Sequence, residues 1–187
     1  DEDVGDRLTY TATLANGGEL PSWLTFDPET RTFSGTPEND DVGAILVKVT
    51  ATDSRGVTVS DTFTITVSNI NDAPTITSTA ITAINEDVAY NYTLVASDVD
   101  AGDAITLAAT TLPSWLSFNT ESGALSGTPT DAHVGSHQVV LTATDRAGLV
   151  DTQSFTIDVT NVNDAPTVAT PIANRSIDQD SFFGFQF

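Results

Sequence analysis

The chain of 187 residues contains no cysteine and no methionine, and it sets only 6 Lys and Arg against 26 Asp and Glu. Without cysteine there is no disulfide framework, no thiolate metal ligand and no cysteine nucleophile, though the compartment stays open. The shortage of cationic side chains leaves a formal net charge of −20. That balance excludes nucleic acid as a partner, because phosphate binding needs a basic stripe, and it equally disfavours anionic membrane surfaces. No apolar run approaches the roughly 18 residues a membrane span needs, so nothing in this stretch inserts into a bilayer. No signal peptide is visible, and a chain that opens on Asp1 without methionine reads as a piece of something longer. There is no Gly-rich phosphate loop and no serine elbow, so the chain reads as no enzyme. The two histidines, His133 and His137, have helical metal-site spacing but lie in a loop-to-strand stretch, and the first repeat has Asp41 and Ile45 instead.

What is present is apolar and β-branched. Hydrophobic residues make up 39% of the chain and charged residues only 17%, a balance that allows a packed core and argues against disorder. The dominant signal is internal repetition, which at such a period marks a modular array. Leu20-Pro21-Ser22-Trp23-Leu24 returns as Leu112-Pro113-Ser114-Trp115-Leu116, and Ser34-Gly35-Thr36-Pro37 as Ser126-Gly127-Thr128-Pro129. Thr50-Ala51-Thr52-Asp53 returns as Thr142-Ala143-Thr144-Asp145, and Asn71-Asp72-Ala73-Pro74 as Asn163-Asp164-Ala165-Pro166. All four pairs are 92 positions apart. Near the start the offset is 97, so the first repeat carries about five extra residues around Leu14 to Glu19, in a lengthened loop. Residues 73–164 therefore read as one complete repeat, and 1–72 as a repeat lacking its first strands. Residues 165–187 read as the opening of a further repeat, with Ile177-Asp178-Gln179-Asp180 matching Ile84-Asn85-Glu86-Asp87, and Phe183-Gly184-Phe185 matching Tyr90-Asn91-Tyr92.

Each repeat alternates apolar and polar positions with period two, as at Val139, Leu141 and Ala143, or at Phe155, Ile157 and Val159. That is the pattern of a half-buried strand. Glu121-Ser122-Gly123 and Arg146-Ala147-Gly148 supply turn residues between such runs. The expectation is an all-β fold: tandem immunoglobulin-like antiparallel β-sandwiches of about seven short strands each. Trp23 and Trp115, flanked by leucine on both sides, read as core packed against Phe26 and Phe118, with a sugar-stacking platform as the sharper alternative.

The acidic residues recur at fixed places. One is the repeat boundary, Asn69-x-Asn71-Asp72 and Asn161-x-Asn163-Asp164. A second is Asp98-x-Asp100 with Asp103 nearby, echoed by Asp1-x-Asp3 with Asp6, and a third is the strand end at Asp53 and Asp145. Glu86 lies near the start of the complete repeat. Hard oxygen donors gathered at domain ends suit Ca²⁺, which takes six to eight oxygen ligands. Asp-x-Asp places alternate carboxylates on one side of an extended chain. Each motif alone also serves as a turn former.

Together, the Asn-x-Asn-Asp-Ala-Pro boundary, the Asp98-x-Asp100 pair, the Thr-Ala-Thr-Asp strand end and the Leu-Pro-Ser-Trp-Leu and Ser-Gly-Thr-Pro motifs make essentially the whole chain resemble dystroglycan-type cadherin-like domains, grouped with the Ig repeats of large bacterial surface proteins. The resemblance implies interdomain calcium. By it, the first junction would use Asn69, Asn71, Asp72, Asp98, Asp100 and Asp145, and the second Glu86, Asn161, Asn163 and Asp164. Asp1, Asp3 and Asp53 would meet an adjacent chain. Two departures imply fewer or weaker sites. The linkers open with Asn69 and Asn161 where cadherins usually carry Asp, and no counterpart is seen of the mid-domain Asp-Arg-Glu motif. Extracellular modules bind Ca²⁺ with Kd of about 10⁻⁴–10⁻³ M. One such site at roughly 1–10 mM calcium stabilises by about 0.4 to 3 kcal/mol. The functional expectation is a calcium-stiffened spacer or adhesive stalk at the cell surface. A calcium-dependent carbohydrate-binding module, with polysaccharide or a cell-surface ligand as partner, and a homophilic adhesion module are the alternatives. Head-to-tail self-association is a further expectation, with 165–187 of one molecule completing 1–72 of the next.

Overall fold

The structure is a computed structural model that describes residues 7–186. Asp1 and Asp3 lie outside the described residues. Strands fall into two sets that share no sheet. The first contains β1 (Thr9–Leu14), β2 (Leu24–Asp27), β3 (Thr32–Gly35), β4 (Gly43–Thr52) and β5 (Thr58–Val67). The second contains β6 (Thr75–Ile76), β7 (Ala83–Asn85), β8 (Tyr90–Thr93), β9 (Ala96–Ser97), β10 (Thr106–Thr111), β11 (Leu116–Phe118), β12 (Ala124–Gly127), β13 (Gly135–Thr144) and β14 (Val150–Thr160). A single turn of 3-10 helix precedes β4 and another precedes β13. No helix among the described residues is long and apolar enough to cross a membrane.

The second unit is a sandwich. One sheet runs β10-β13-β14-β7, the facing sheet runs β11-β12-β8, and β6 pairs with β9. All pairings are antiparallel except β7 with β14, where Ala83, Ile84 and Asn85 lie parallel to Asp158, Val159 and Thr160. About seven strands were expected and nine segments are found. The reason is local: the opening strand breaks between Ile76 and Ala83, so that β6 joins β9 while β7 crosses to β14. The strand after it breaks likewise between β8 and β9.

The period-two positions meet in the core. Leu141, Val139 and Ala143 from β13 are fully buried, with Ile157 and Val159 from β14 against Tyr90 and Leu125 from the other sheet and Leu94 just after β8. Each such aliphatic side chain contributes about 1.5–3 kcal/mol relative to exposure. Trp115 is buried with them, and Tyr90 meets its ring edge-on at 6.0 Å. This is core packing and leaves no face for sugar stacking. The histidines close over the same indole. The His133 and His137 rings lie 6.4 and 5.8 Å from it, and His137 Nε2 meets the His133 carbonyl at 2.6 Å.

The Ser-Gly-Thr-Pro motif has a steric cause. A Cβ on Gly127 would sit 2.0 Å from the Trp115 carbonyl oxygen, and one on Gly35 would sit 1.7 Å from that of Trp23. The β2–β3 and β11–β12 hairpins close only because glycine stands there. The extra residues of the first repeat form a turn at Ala15–Gly17 after β1, where Leu14 accepts the Gly17 N–H and donates its own to Gly18.

The first unit repeats only part of this plan. Its sheets are β1-β4-β5 and β2-β3. Among the described residues nothing pairs with the outer edge of β5, where β14 has β7, or with that of β3, where β12 has β8. Val47 and Leu24 are buried, but Val49, Ala51, Ile65 and Phe33, at positions matching fully buried residues of the second unit, are only half-buried. Residues 161–186 carry no strand and are exposed throughout.

Candidate metal centres at the two ends of the second unit

At the entry to the second unit, the linker is tied into the sandwich through carboxylates. Asp98 and Asp100 stand in the turn between β9 and β10, where Asp98 Oδ1 accepts the Asp100 N–H at 2.9 Å. Asp100 Oδ2 accepts the Asp72 N–H at 2.8 Å. Asp145, at the end of β13, takes the Gly148 and Leu149 N–H groups on Oδ1, while the Asn71 side-chain amide donates to its Oδ2 at 2.7 Å. The Asn71 amide first, and then the N–H groups of this turn, hold the Asp145 carboxyl below the usual carboxylate range. Asp100 and Asp145 are only 7% and 5% exposed. One oxygen from each of Asp98, Asp103 and Asp145 lies within 4.8 Å of the others. Asp98 Oδ2 and Asp100 Oδ1 are buried with no hydrogen-bond partner. The Asn39 amide, from the 3-10 turn of the first unit, reaches the linker and donates to Asp72 Oδ2 at 2.7 Å.

At the exit, Glu86 follows β7 and is 1% exposed. Its Oε1 accepts the Asn161 side-chain amide and the Val162 N–H, both at 2.6 Å, and its Oε2 is buried without a partner so long as Asp131 is ionised. Asp131 and Asp164 bring one oxygen each to within 4.8 Å of it and of each other. Asp131 is pushed up to about 6, because a proton shared with Glu86 and the negative charges of Glu86 and Asp164 all favour its neutral form. That proton, with the Val162 and Asn161 donors, holds Glu86 below the ordinary carboxylate range despite burial.

These two sets fit a calcium ion by their chemistry. They offer only hard oxygen donors, several of them anionic, and three buried carboxylate oxygens are left without any partner. A buried unpaired carboxylate oxygen is costly unless a cation or a donor meets it. Of the residues expected from sequence, Asn71, Asp72, Asp98, Asp100 and Asp145 meet at the first end, and Glu86, Asn161 and Asp164 at the second. Asn69 is exposed, and Asn163 is exposed with its amide on the Asp164 carbonyl at 3.2 Å. Asp53 repeats the turn of Asp145, with Oδ1 accepting the Arg55 and Val57 N–H groups. Two participants lie outside the ligand set the resemblance implies, though the sequence already sets Asp103 beside the Asp98-x-Asp100 pair. Asp103 joins Asp98 and Asp145, and Asp131 supplies the mid-unit acidic residue that the sequence did not reveal. Asp131 escapes detection by repetition because the first repeat carries Asn39 at that position.

Comparison with known proteins agrees with this architecture. A staphylococcal protein named "Serine-rich adhesin for platelets", from Staphylococcus aureus strain MRSA252, is 32% identical over 165 residues, covering 88% of this chain and 12% of its own length. The homologue of strain MW2 is equally similar, with 7% of its length covered. The chain thus spans a small part of these relatives. Among solved structures, mouse cadherin-23 repeats EC22-24 superpose with a TM-score of 0.55 at 20% identity, over 83% of this chain and 53% of that one. Drosophila N-cadherin EC1-4 gives 0.53 at 17%, over 83% and 41%. At that identity the likeness concerns the fold alone. The profile of the family described as "Putative Ig domain" matches residues 1–68 and again 73–160, and the chain belongs to that family, as Ig-like, cadherin-like repeats of the kind found in surface adhesins.

Proposed function

We propose that this chain is a calcium-stiffened adhesive or spacer repeat of an extracellular surface protein. Residues 73–164 are its complete repeat, 1–72 a repeat lacking its first strands, and 165–187 the opening of another. The reading rests above all on the partnerless buried oxygens of Asp98, Asp100 and Glu86 at the two ends of one sandwich. At the first end, Asp98, Asp103 and Asp145 would hold the ion, with Asp100 and the linker residues Asn71 and Asp72 around them. At the second end, Glu86, Asp131 and Asp164 would do so, with Asn161 beside them. By sequence, Asp1, Asp3 and Asp53 are the counterparts of Asp98, Asp100 and Asp145 in the first repeat. A cation shared between linker and sandwich removes bending freedom at the junction. The acids at Asp98, Asp100, Asp145 and Asp164 recur as Asp1, Asp3, Asp53 and Asp72, as a structural device does and a catalytic pair does not. An adhesin-like role is favoured by the relatives' name and by the tandem repeats.

Titration calorimetry and small-angle scattering test this together. Calcium should bind with Kd on the order of 10⁻⁴–10⁻³ M. Chelation should broaden the distribution of inter-unit distances and lower the melting temperature by a few degrees, as about 1 kcal/mol does for a chain of this size. Superimposable profiles with no binding heat would remove calcium from the account.

A further inference from the structure

The two units carry the same 3-10 turn, and the side chain it turns toward the linker differs between them. In the first unit the turn is Asn39–Asp41, and in the second it is Asp131–His133. Both are capped alike. The Glu38 N–H donates to Asp41 Oδ2 at 2.9 Å, as the Thr130 N–H donates to His133 Nδ1 at 3.0 Å. Each turn is closed by the N–H of the following valine on its first carbonyl, at 3.3 Å in both. The backbone therefore presents Asn39 and Asp131 in the same way. Asn39 donates its amide to Asp72 of the linker, while Asp131 meets Asp164, the residue one repeat on from Asp72. We infer that Asn39 is a cation-free latch: it fastens the first unit to the linker by a hydrogen bond, where the second unit sets two acids that need an ion between them.

Three observations carry it. The first is the chemistry at the shared position. An amide NH2 is a donor, so it meets a carboxylate oxygen directly and fills the place a cation would take. Two carboxylates offer acceptors only, and their like charges hold them apart until a cation or a proton intervenes. Second, the amide is not there for want of acid. Its neighbours are Glu38, Asp40 and Asp41, so the one neutral side chain of the four is the one that reaches the linker. Third, the latch is one end of a relay that runs into the second unit. Asn39 donates to Asp72 Oδ2 at 2.7 Å, and the Asp72 N–H donates to Asp100 Oδ2 at 2.8 Å. The Asn71 amide runs alongside to Asp145 Oδ2 at 2.7 Å. Beside the relay lies a cleft of about 470 Å3 lined by Glu38, Asn39, Asp40 and Val99, and Val99 is 62% exposed. Apolar packing does not close the junction at this point, which leaves the hydrogen bonds to hold it.

The two turns thus answer differently to calcium. Its removal leaves the turn of the first unit on its linker and frees the turn of the second from Asp164. An amide oxygen also serves calcium as a ligand, but Asn39 offers it only by turning its NH2 away from Asp72, so an ion bound there opens the latch. This inference deepens the calcium reading, on which the contrast between the two turns rests, whereas the hydrogen bond of Asn39 stands without it. An array that carries both kinds of turn keeps some joints fastened at all times and places others under the control of the ion.

The chain has no cysteine, so spin labels can be placed at will. Labels at Thr64→Cys and Thr156→Cys, on exposed strand positions of the two units, report the inter-unit distance by pulsed electron resonance. In EDTA near neutral pH the parent should give a narrow distribution. Asn39→Ala and Asn39→Asp should each raise the population of open junctions about three- to tenfold, the weight of one hydrogen bond. Residue 39 is exposed, so both variants should melt with the sandwich core intact. Calcium should narrow the Asn39→Asp distribution again and leave Asn39→Ala the wider of the two. The converse variant is Asp131→Asn, with labels at Gln138→Cys and Thr167→Cys. In EDTA it should gain order that the parent lacks, a result that a merely local role for Asn39 does not give. Equal widths for the parent and both residue-39 variants in EDTA, or no order gained by Asp131→Asn, would overturn the inference. If the EDTA results hold while calcium narrows nothing, the latch stands and the calcium reading falls.

Discussion

At the scale of single residues, Asp131 is the most informative side chain. Its carboxyl is raised to about 6 in the folded state from an unperturbed value of 3.8. The folded protein therefore holds this proton more tightly than the unfolded chain does. The stabilisation is full below about pH 4 and is lost as pH rises through about 6. Glu86 and Asp145 run the other way. Their lowered values add stability that is present above their ordinary ranges and disappears only in stronger acid. In chelator, thermal melts between pH 4.5 and 7 should thus show a falling component that Asp131→Asn removes. Calcium should displace the Asp131 proton, so proton release on calcium addition near pH 6, seen by calorimetry in buffers of different ionisation enthalpy, should also vanish in that variant. At the other end, Asp98→Asn should weaken calcium binding about tenfold or more, since it removes one anionic ligand and leaves the sandwich core untouched. An unchanged calorimetric isotherm would place the ion elsewhere. These residues differ in how visible they were. Asp98, Asp100 and Asp145 could be found because both repeats carry them or their echoes. Asp131 could not, because self-similarity reveals only what recurs, and the second unit has an acid where the first has Asn39, in an exposed 3-10 turn that carries no motif.

At the scale of elements, the hairpins were largely legible and the opening strands were not. Period-two alternation is enough for β13 and β14, whose inward positions are all buried or half-buried. It says nothing about the break between β6 and β7. That break depends on two sheets competing for one short strand, which is a property of the folded neighbours and not of residues 77–82. The Ser-Gly-Thr-Pro motif read as a repeat marker, and its cause became apparent only with the Trp115 carbonyl in contact distance of Gly127. Gly127→Ala must push β12 away from β11, so a loss of about 1–3 kcal/mol or more is expected. Leu141→Ala, which empties fully buried volume, should cost about 2–5 kcal/mol. Both are measurable by urea unfolding of the full chain. A Gly127→Ala variant as stable as the parent would show that the hairpin yields without loss.

At the scale of the molecule, the two units differ in how many strand edges are paired among the described residues, and this predicts a graded stability. Amides of β13 and β14 should exchange with solvent only on global unfolding. Those of β3 and β5, with one edge each unpaired among the described residues, should exchange faster by local opening. Equal protection across both units in dilute solution would contradict this. The net charge of −20 acts at the same scale. It opposes the close approach of successive units, so if calcium binds as proposed it should matter more to the array than to any single core.

The parallel pairing of β7 with β14 has a mechanical meaning. These two strands lie at opposite ends of the repeat in sequence, so tension on an array enters through one and leaves through the other. Parallel neighbours pulled in opposite directions are loaded in shear, and their ladder of hydrogen bonds must fail together, whereas a hairpin pulled at its open end yields bond by bond. A unit with this pairing is thereby fitted to carry load along an array.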